Sequence, residues 1–207
     1  MKKILIIILV LLYSFQSGFA AKKKTVKNTP TSVVERLRNI ETFEADFTQE
    51  TTIKGFSTDH YSGKLYMVSG KHALWNYNSP YKQYYLFNEN GMEFYDSSTN
   101  QVVRQTKNSS KEANVILSVL FNLKSIENNF NIISNGKSEI QLKPKVNIGL
   151  KYLILTINKS NIITGIYSED EAGNITKINF TNIKINHSVD QKVFTIAPPK
   201  DAVIFNY

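Results

Sequence analysis

Phe43-Glu44-Ala45-Asp46-Phe47-Thr48 alternates strictly between apolar and polar residues. An extended chain sends successive side chains to opposite faces. Phe43, Ala45 and Phe47 therefore share one apolar face, and Glu44, Asp46 and Thr48 share a wet one. The pattern repeats downstream. Tyr61, Gly63, Leu65 and Met67 alternate, as do Ala73, Trp75 and Tyr77, followed by an Asn78-Ser79-Pro80 turn. Gln83 to Asn88 and Met92 to Asp96 flank Asn90-Gly91, a strong hairpin signal. Ser97 to Asn100 turns, and Gln101 to Gln105 continues. Short strands at such regular spacing predict an antiparallel meander.

Upstream of this run the period is helical. Ser32-Val33-Val34-Glu35 has the form of a capping box, and Val33, Val34, Leu37 and Ile40 recur at helical spacing, predicting a helix over 31–39. A second capping box, Ser109-Ser110-Lys111-Glu112, leads into EANVILSVLFN. Val115, Ile116, Val119 and Leu120 form its stripe, which Leu117 and Phe121 widen. A helix apolar over more than half its circumference is buried or covers something apolar. Strands then resume at 130–135, 139–144, 152–158, 162–169 and 174–186, with Asp170 to Asn174 as a hairpin turn and a last strand at 193–196 before Pro198-Pro199. The expectation is about eleven strands in a single domain, 31–207.

The first twenty residues read as an address. Met1-Lys2-Lys3 is basic, Ile4 to Tyr13 is an unbroken apolar run, and Gly18-Phe19-Ala20 is a small-residue exit. This fits a secretory signal peptide cleaved after Ala20, and the run of about ten residues is half the roughly 20 a membrane span needs. Residues 21–30 are a basic, unpatterned lead. Removing Lys2 and Lys3 lowers the formal charge from +8 to +6. The chain has no cysteine, which excludes disulfides, thiolate metal sites, a cysteine nucleophile and an acylated N-terminal cysteine.

Few residues have catalytic potential. His60, His72 and His187 are scattered, without metal-ligand spacing. Glu44/Asp46/Glu50 and Glu169/Asp170/Glu171 fall on a polar strand face and in a turn, where solvated carboxylates belong. No metal site, cofactor or active site is expected. Export and the spread of the lysines argue against nucleic acid. A basic exported chain meets anionic headgroups or an acidic partner, or is simply soluble. A curled meander under an apolar helix encloses either an ordinary filled core or a cavity for acyl chains.

The ordered set of motifs resembles one family. Phe43-Glu44-Ala45-Asp46-Phe47-Thr48-Gln49 is followed by Gly63-Lys64-Leu65, Trp75-Asn76-Tyr77 with Pro80, Asn90-Gly91 with Tyr95-Asp96, Gln101-Val102 and a closing Phe194-Thr195-Ile196-Ala197-Pro198-Pro199. Behind a signal peptide, this is similar to the periplasmic outer-membrane lipoprotein carriers, the LolA family, over about 31–207. The resemblance implies an incompletely closed antiparallel β-barrel of about eleven strands with an α-helical lid over an apolar cavity. It implies a monomeric, non-enzymatic periplasmic chaperone. Such a carrier takes lipoprotein cargo by its acyl chains from the inner-membrane lipoprotein-releasing ABC transporter and passes it to an outer-membrane receptor or the outer membrane. The related receptor shares the fold but is anchored through an N-terminal cysteine, which this chain lacks.

On that reading Phe43, Phe47, Leu65, Trp75 and Phe94 line the cavity, and Val115, Ile116, Val119 and Leu120 form the lid. The family's third strand commonly reads R-P-x-x-F-x-W, with the Arg bonding the lid. Here Ser69, Gly70 and Ala73 stand at the first three of those positions, and only Trp75 matches. Strand alternation would put Lys71 on the face of Ser69, Ala73 and Trp75, as a substitute latch or as a rim residue facing water. The departure keeps open a periplasmic lipid- or glycolipid-binding or envelope-sensing protein of the same fold. An exported hydrolase on a similar barrel is a third reading.

Overall fold

The computed structural model describes residues 31–106, 116, 119–120, 123–134 and 138–207. The predicted signal peptide, basic lead and second capping box, together with Val115, Leu117 and Phe121, lie outside these residues.

Helix α1 (Thr31–Arg38) precedes six strands: β1 (Thr42–Thr52), β2 (Thr58–Val68), β3 (His72–Ser79), β4 (Gln83–Asn88), β5 (Gly91–Asp96) and β6 (Gln101–Thr106). A 3-10 turn (Leu123–Ser125) and the short α2 (Ile126–Asn129) follow. The chain continues with β7 (Phe130–Ser134), β8 (Glu139–Pro144), β9 (Leu150–Ile157), β10 (Ile163–Asp170) and β11 (Ile175–Ile185), then a 3-10 helix (Gln191–Thr195) and β12 (Val203–Asn206). Ser32 thus lies inside α1 rather than ahead of it as its cap.

All twelve strands form one sheet in the order β12-β6-β5-β4-β3-β2-β1-β11-β10-β9-β8-β7. Each sequential pairing is antiparallel, and the long strand β1 joins the two runs by pairing with both β2 and β11. Its start is fastened to the end of β11. Thr42 Oγ1 donates to the His187 carbonyl at 2.7 Å and accepts from His187 N–H at 2.9 Å, while Asn186 bonds the Glu41 N–H and the Asn39 carbonyl.

The sheet curls so that β1–β3 and β7–β11 bury side chains in one interior. Phe43, Phe47, Leu65, Met67 and Trp75 meet Ile140, Leu142, Leu153, Leu155, Ile163 and Phe180 there. Leu37 of α1, Ile40, Val119, Leu120, Leu123 and Ile126 join the same packing. The wet side of the same strands carries cross-strand ion pairs: Lys64–Asp46 at 2.6 Å, Lys184–Glu44 at 3.0 Å and Lys151–Glu169 at 2.6 Å. Among the described residues, β7 and β12 end the sheet without pairing with each other.

The C-terminus departs from expectation. The predicted strand at 193–196 is a 3-10 helix, started by Asp190, whose side chain accepts from Lys192 N–H. Val193 and Phe194 are adjacent in sequence, yet both pack on one small cluster on the outside of β3–β6, built from Leu74, Tyr84, Leu86, Tyr95 and Val102. Adjacent residues of a strand point to opposite faces, so a helical turn is what lets both reach the same surface. Beyond the prolines, Val203–Asn206 pairs with β6 in parallel, giving a twelfth strand to a sheet expected to be wholly antiparallel with about eleven.

Candidate functional site: an aromatic wall inside the curled sheet

The register places the predicted lining residues on neighbouring rows. One row runs Ala45–Leu65–Trp75–Tyr85–Phe94 across β1 to β5. The next runs Phe180–Phe47–Gly63–Tyr77. Gly63 is needed between two large rings, since a Cβ there would lie 2.0 Å from the Asn76 carbonyl oxygen. The rings of Phe47 and Tyr77 close over the gap edge to face, with centroids 5.1 Å apart.

Phe43, Phe47, Leu65 and Trp75 are all at most 2% exposed and belong to the packed interior. Phe43 meets Phe180 at 5.4 Å, and Phe47 meets Trp75 at 5.1 Å, both edge to face. Phe94 is buried but stands one ring further out, stacked on Tyr85 at 4.4 Å. The structure therefore brings four of the five together and holds the fifth behind Tyr85. Sequence reasoning passed over Tyr77, Tyr85 and Phe180. Tyr77 was legible from the Ala73/Trp75/Tyr77 alternation. Tyr85 was not, because Tyr84-Tyr85-Leu86-Phe87 is apolar on both faces of β4 and its outer face is covered by the C-terminal segment.

Of the predicted lid, Ile116 is half-buried and in contact with the interior, and Val119 and Leu120 are buried in it. Val115 lies outside the described residues. Lys71 faces water, as the rim alternative has it, but from a turn rather than from the strand face of Trp75. It sits exposed in the turn between β2 and β3, its N–H bonded to the Val68 carbonyl at 3.0 Å, next to Gly70 at φ +70°. Strand β3 opens only at His72, so alternation does not carry Lys71 onto the face of Trp75.

Among the described residues the interior is neutral except for Asp96, 1% exposed at the end of β5 on the face of Phe94. Tyr77 and Tyr85 are held above the usual phenol range by burial, and Tyr61 at the rim is pushed up to about 12 by burial and by Tyr81 and Asp59 beside it. All three stay protonated at neutral pH. Tyr77 donates its hydroxyl to Gln49 Oε1 at 3.0 Å. Among the described residues, Trp75 Nε1 is buried without an acceptor. The histidines have separate settings: His60 lies 3.9 Å from Glu50, His72 stacks on Phe194, and His187 lies 3.4 Å from Glu44. Outside the interior, Arg38 pairs with Glu127 and Lys145 donates to the Glu127 carbonyl, across a cleft of ≈ 310 Å³ between α1 and β7. Neutral phenols, one indole and hydrocarbon leave the interior suited to binding an apolar, uncharged group.

Comparison with known proteins agrees with this arrangement. The family model "outer membrane lipoprotein carrier protein LolA" matches residues 38–197. An outer-membrane lipoprotein carrier protein of Methylococcus capsulatus is 28% identical over 195 residues, covering 91% of each chain. One from Francisella philomiragia is 22% identical over 209 residues, covering 100% of this chain and 98% of the relative. Two crystal structures share the fold at 13% identity. The LolA superfamily protein NE2245 of Nitrosomonas europaea has a TM-score of 0.51 over 82% of this chain and 99% of its own. An uncharacterised conserved protein of Thermus thermophilus has a TM-score of 0.53 over 85% and 98%. An inwardly apolar sheet whose edges do not pair among the described residues and a family match over most of the chain lead to one assignment: this chain belongs to the LolA family of outer-membrane lipoprotein carrier proteins.

Proposed function

We propose that the protein is a monomeric periplasmic carrier. It takes the acyl chains of a lipoprotein from an inner-membrane ABC transporter into the curled sheet, and it delivers them to a receptor or to the outer membrane. It makes and breaks no covalent bond. The observation that carries this is the apolar, aromatic-lined interior of a sheet whose edges do not pair among the described residues. Its relatives' names as lipoprotein carriers support it.

The energetics fit the role. A buried lipid anchor gains ~0.8 kcal/mol per methylene, so a chain of about a dozen is worth on the order of 10 kcal/mol. One such chain binds a bilayer reversibly and two or more hold it firmly, so a carrier must offer comparable apolar surface. The empty protein satisfies that surface with its own side chains, which avoids a large exposed patch. Loading then requires the sheet to part and the segment around Val115, Ile116, Val119 and Leu120 to move as a lid. With Lys71 in an exposed turn, closure rests on the packing of Val119 and Leu120 rather than on a cation. Residues 1–20 direct export and are then cleaved off after Ala20.

Reconstitution tests the reading. Inner-membrane vesicles bearing the transporter and an acylated lipoprotein are given ATP and the purified protein. The lipoprotein should leave the vesicles in a soluble one-to-one complex and then appear in added outer membranes. Lipoprotein that stays on the vesicles with the carrier present would overturn it.

A further inference from the structure

Tyr77 and Trp75 are neighbours on the inner face of β3, their rings stacked with centroids 6.4 Å apart, and the fold treats their polar atoms differently. The Tyr77 hydroxyl is met by Gln49 Oε1, and Gln49 in turn donates to Thr51. The Trp75 N–H, on a side chain 1% exposed, is met by no acceptor among the described residues. Leaving a buried donor unpaired is costly, and native interiors rarely do so without a reason.

We propose that the Trp75 N–H is a cargo-recognition donor: it hydrogen-bonds the carbonyl oxygen of the ester or amide that ends an acyl chain. The inference rests on the carrier reading above and deepens it. An indole can only donate, so its partner must be an acceptor. In an acylated cargo, the acceptor attached directly to the hydrocarbon is that carbonyl. The buried charged residue among those described is Asp96, an anion, so nothing there favours a free carboxylate or phosphate over a neutral carbonyl. Trp75 lies mid-row between Leu65 and Tyr85, so the carbonyl enters the sheet and the methylenes run on along the aliphatic wall. The rival account is intramolecular. The N–H could lie over the Phe47 ring, 5.1 Å away edge to face, as a weak N–H···π contact.

Two lipids of equal chain length separate these accounts: dipalmitoylglycerol, which has ester carbonyls, and dihexadecylglycerol, its ether analogue, which has none. Each competes with a dansylated fatty acid for the purified protein below the detergent micelle concentration. The wild type should prefer the ester lipid by about tenfold, the factor for about 1.4 kcal/mol. Trp75→Phe, which keeps a ring and removes the donor, should bind both equally. Trp75 is the single tryptophan, so the indole N–H gives one proton resonance. It should move downfield with the ester lipid and far less with the ether, a readout independent of any variant's folding. Equal wild-type affinities, a preference that survives in Trp75→Phe, or an unmoved indole proton would each overturn the donor role while leaving the carrier intact. Failure of both lipids to displace the probe would sink the carrier reading and the donor with it.

Discussion

The two walls of the interior are built differently. Strands β1–β5 contribute rings: Phe43, Phe47, Trp75, Tyr77, Tyr85 and Phe94. Strands β8–β11 contribute mostly branched aliphatics, among them Ile140, Leu142, Leu153, Leu155, Ile157, Ile163, Ile166 and Ile178. The aliphatic side is a dense, mostly hydrocarbon filler, and Leu142, Leu153, Leu155 and Ile163 are fully enclosed. The aromatic side is a chain of edge-to-face and stacked contacts with hydroxyl and indole handles. Dispersion between aliphatics is directionless, whereas ring contacts fix orientation. The aliphatic wall therefore contributes directionless packing, and the aromatic wall contributes fixed ring orientations and the polar handles that the proposed ligand role would use.

The largest effect that tests this contrast is on the aliphatic side. Leu153→Ala should lower unfolding free energy by about 2–5 kcal/mol, seen as a lower denaturant midpoint, with acyl-chain preference unchanged. A change in lipid selectivity there would erase the distinction between the walls.

Phe47→Leu comes next. It removes edge-to-face pairs with Trp75 and Tyr77, each worth about 0.5–1.5 kcal/mol beyond area, so about 1–3 kcal/mol in all. Trp75 emission should change in the empty protein, and acyl-ligand affinity should fall. A variant with wild-type emission and affinity would mean that the rings are filler too.

Tyr77→Phe keeps the ring and strands Gln49. The expected loss is about 0.5–1.5 kcal/mol in thermal or denaturant unfolding. No loss would show that the hydroxyl is equally well served by water at the rim.

The smallest effect lies on the back of the aromatic wall. Asp46 is held below the usual carboxylate range by the Asn182 amide and then by Lys64. A carboxyl lowered on folding adds stability above its unfolded value of about 3.9, and that stability is lost as pH falls through the lower folded value. Asp46→Asn should cost at most about 1 kcal/mol near neutral pH, as exposed pairs do. The gap to wild type should close in acid unfolding curves below about pH 4. A gap that persists there would mean that Asp46 acts through packing rather than charge.

Local patterns were the most readable. Strands β4 and β8 span the predicted residues, because turn residues bracket each one. Phe43, Phe47 and Leu65 followed from period-two alternation on strands that are wet on one side, and Trp75 from the Ala73/Trp75/Tyr77 alternation of β3, whose other face buries Leu74. Reading failed where both faces are covered or where the chain turns tightly. Tyr85 was hidden because the C-terminal segment buries the other face of β4. Lys71 was misplaced because a positive-φ Gly70 turn ends the alternation one residue before β3 begins.

By itself, the sequence determined which residues turn inward along each hairpin, since side-chain direction depends only on strand period and nearby turn residues. Three features were left to the tertiary structure: the closure of β1 onto β11, the parallel seating of β12 on β6, and the meeting of an aromatic with an aliphatic wall. Those pairings join segments about a hundred or more residues apart. Their geometry is set by the twist and curl of the whole sheet and by the cost of closing long loops, neither of which is written in any local pattern.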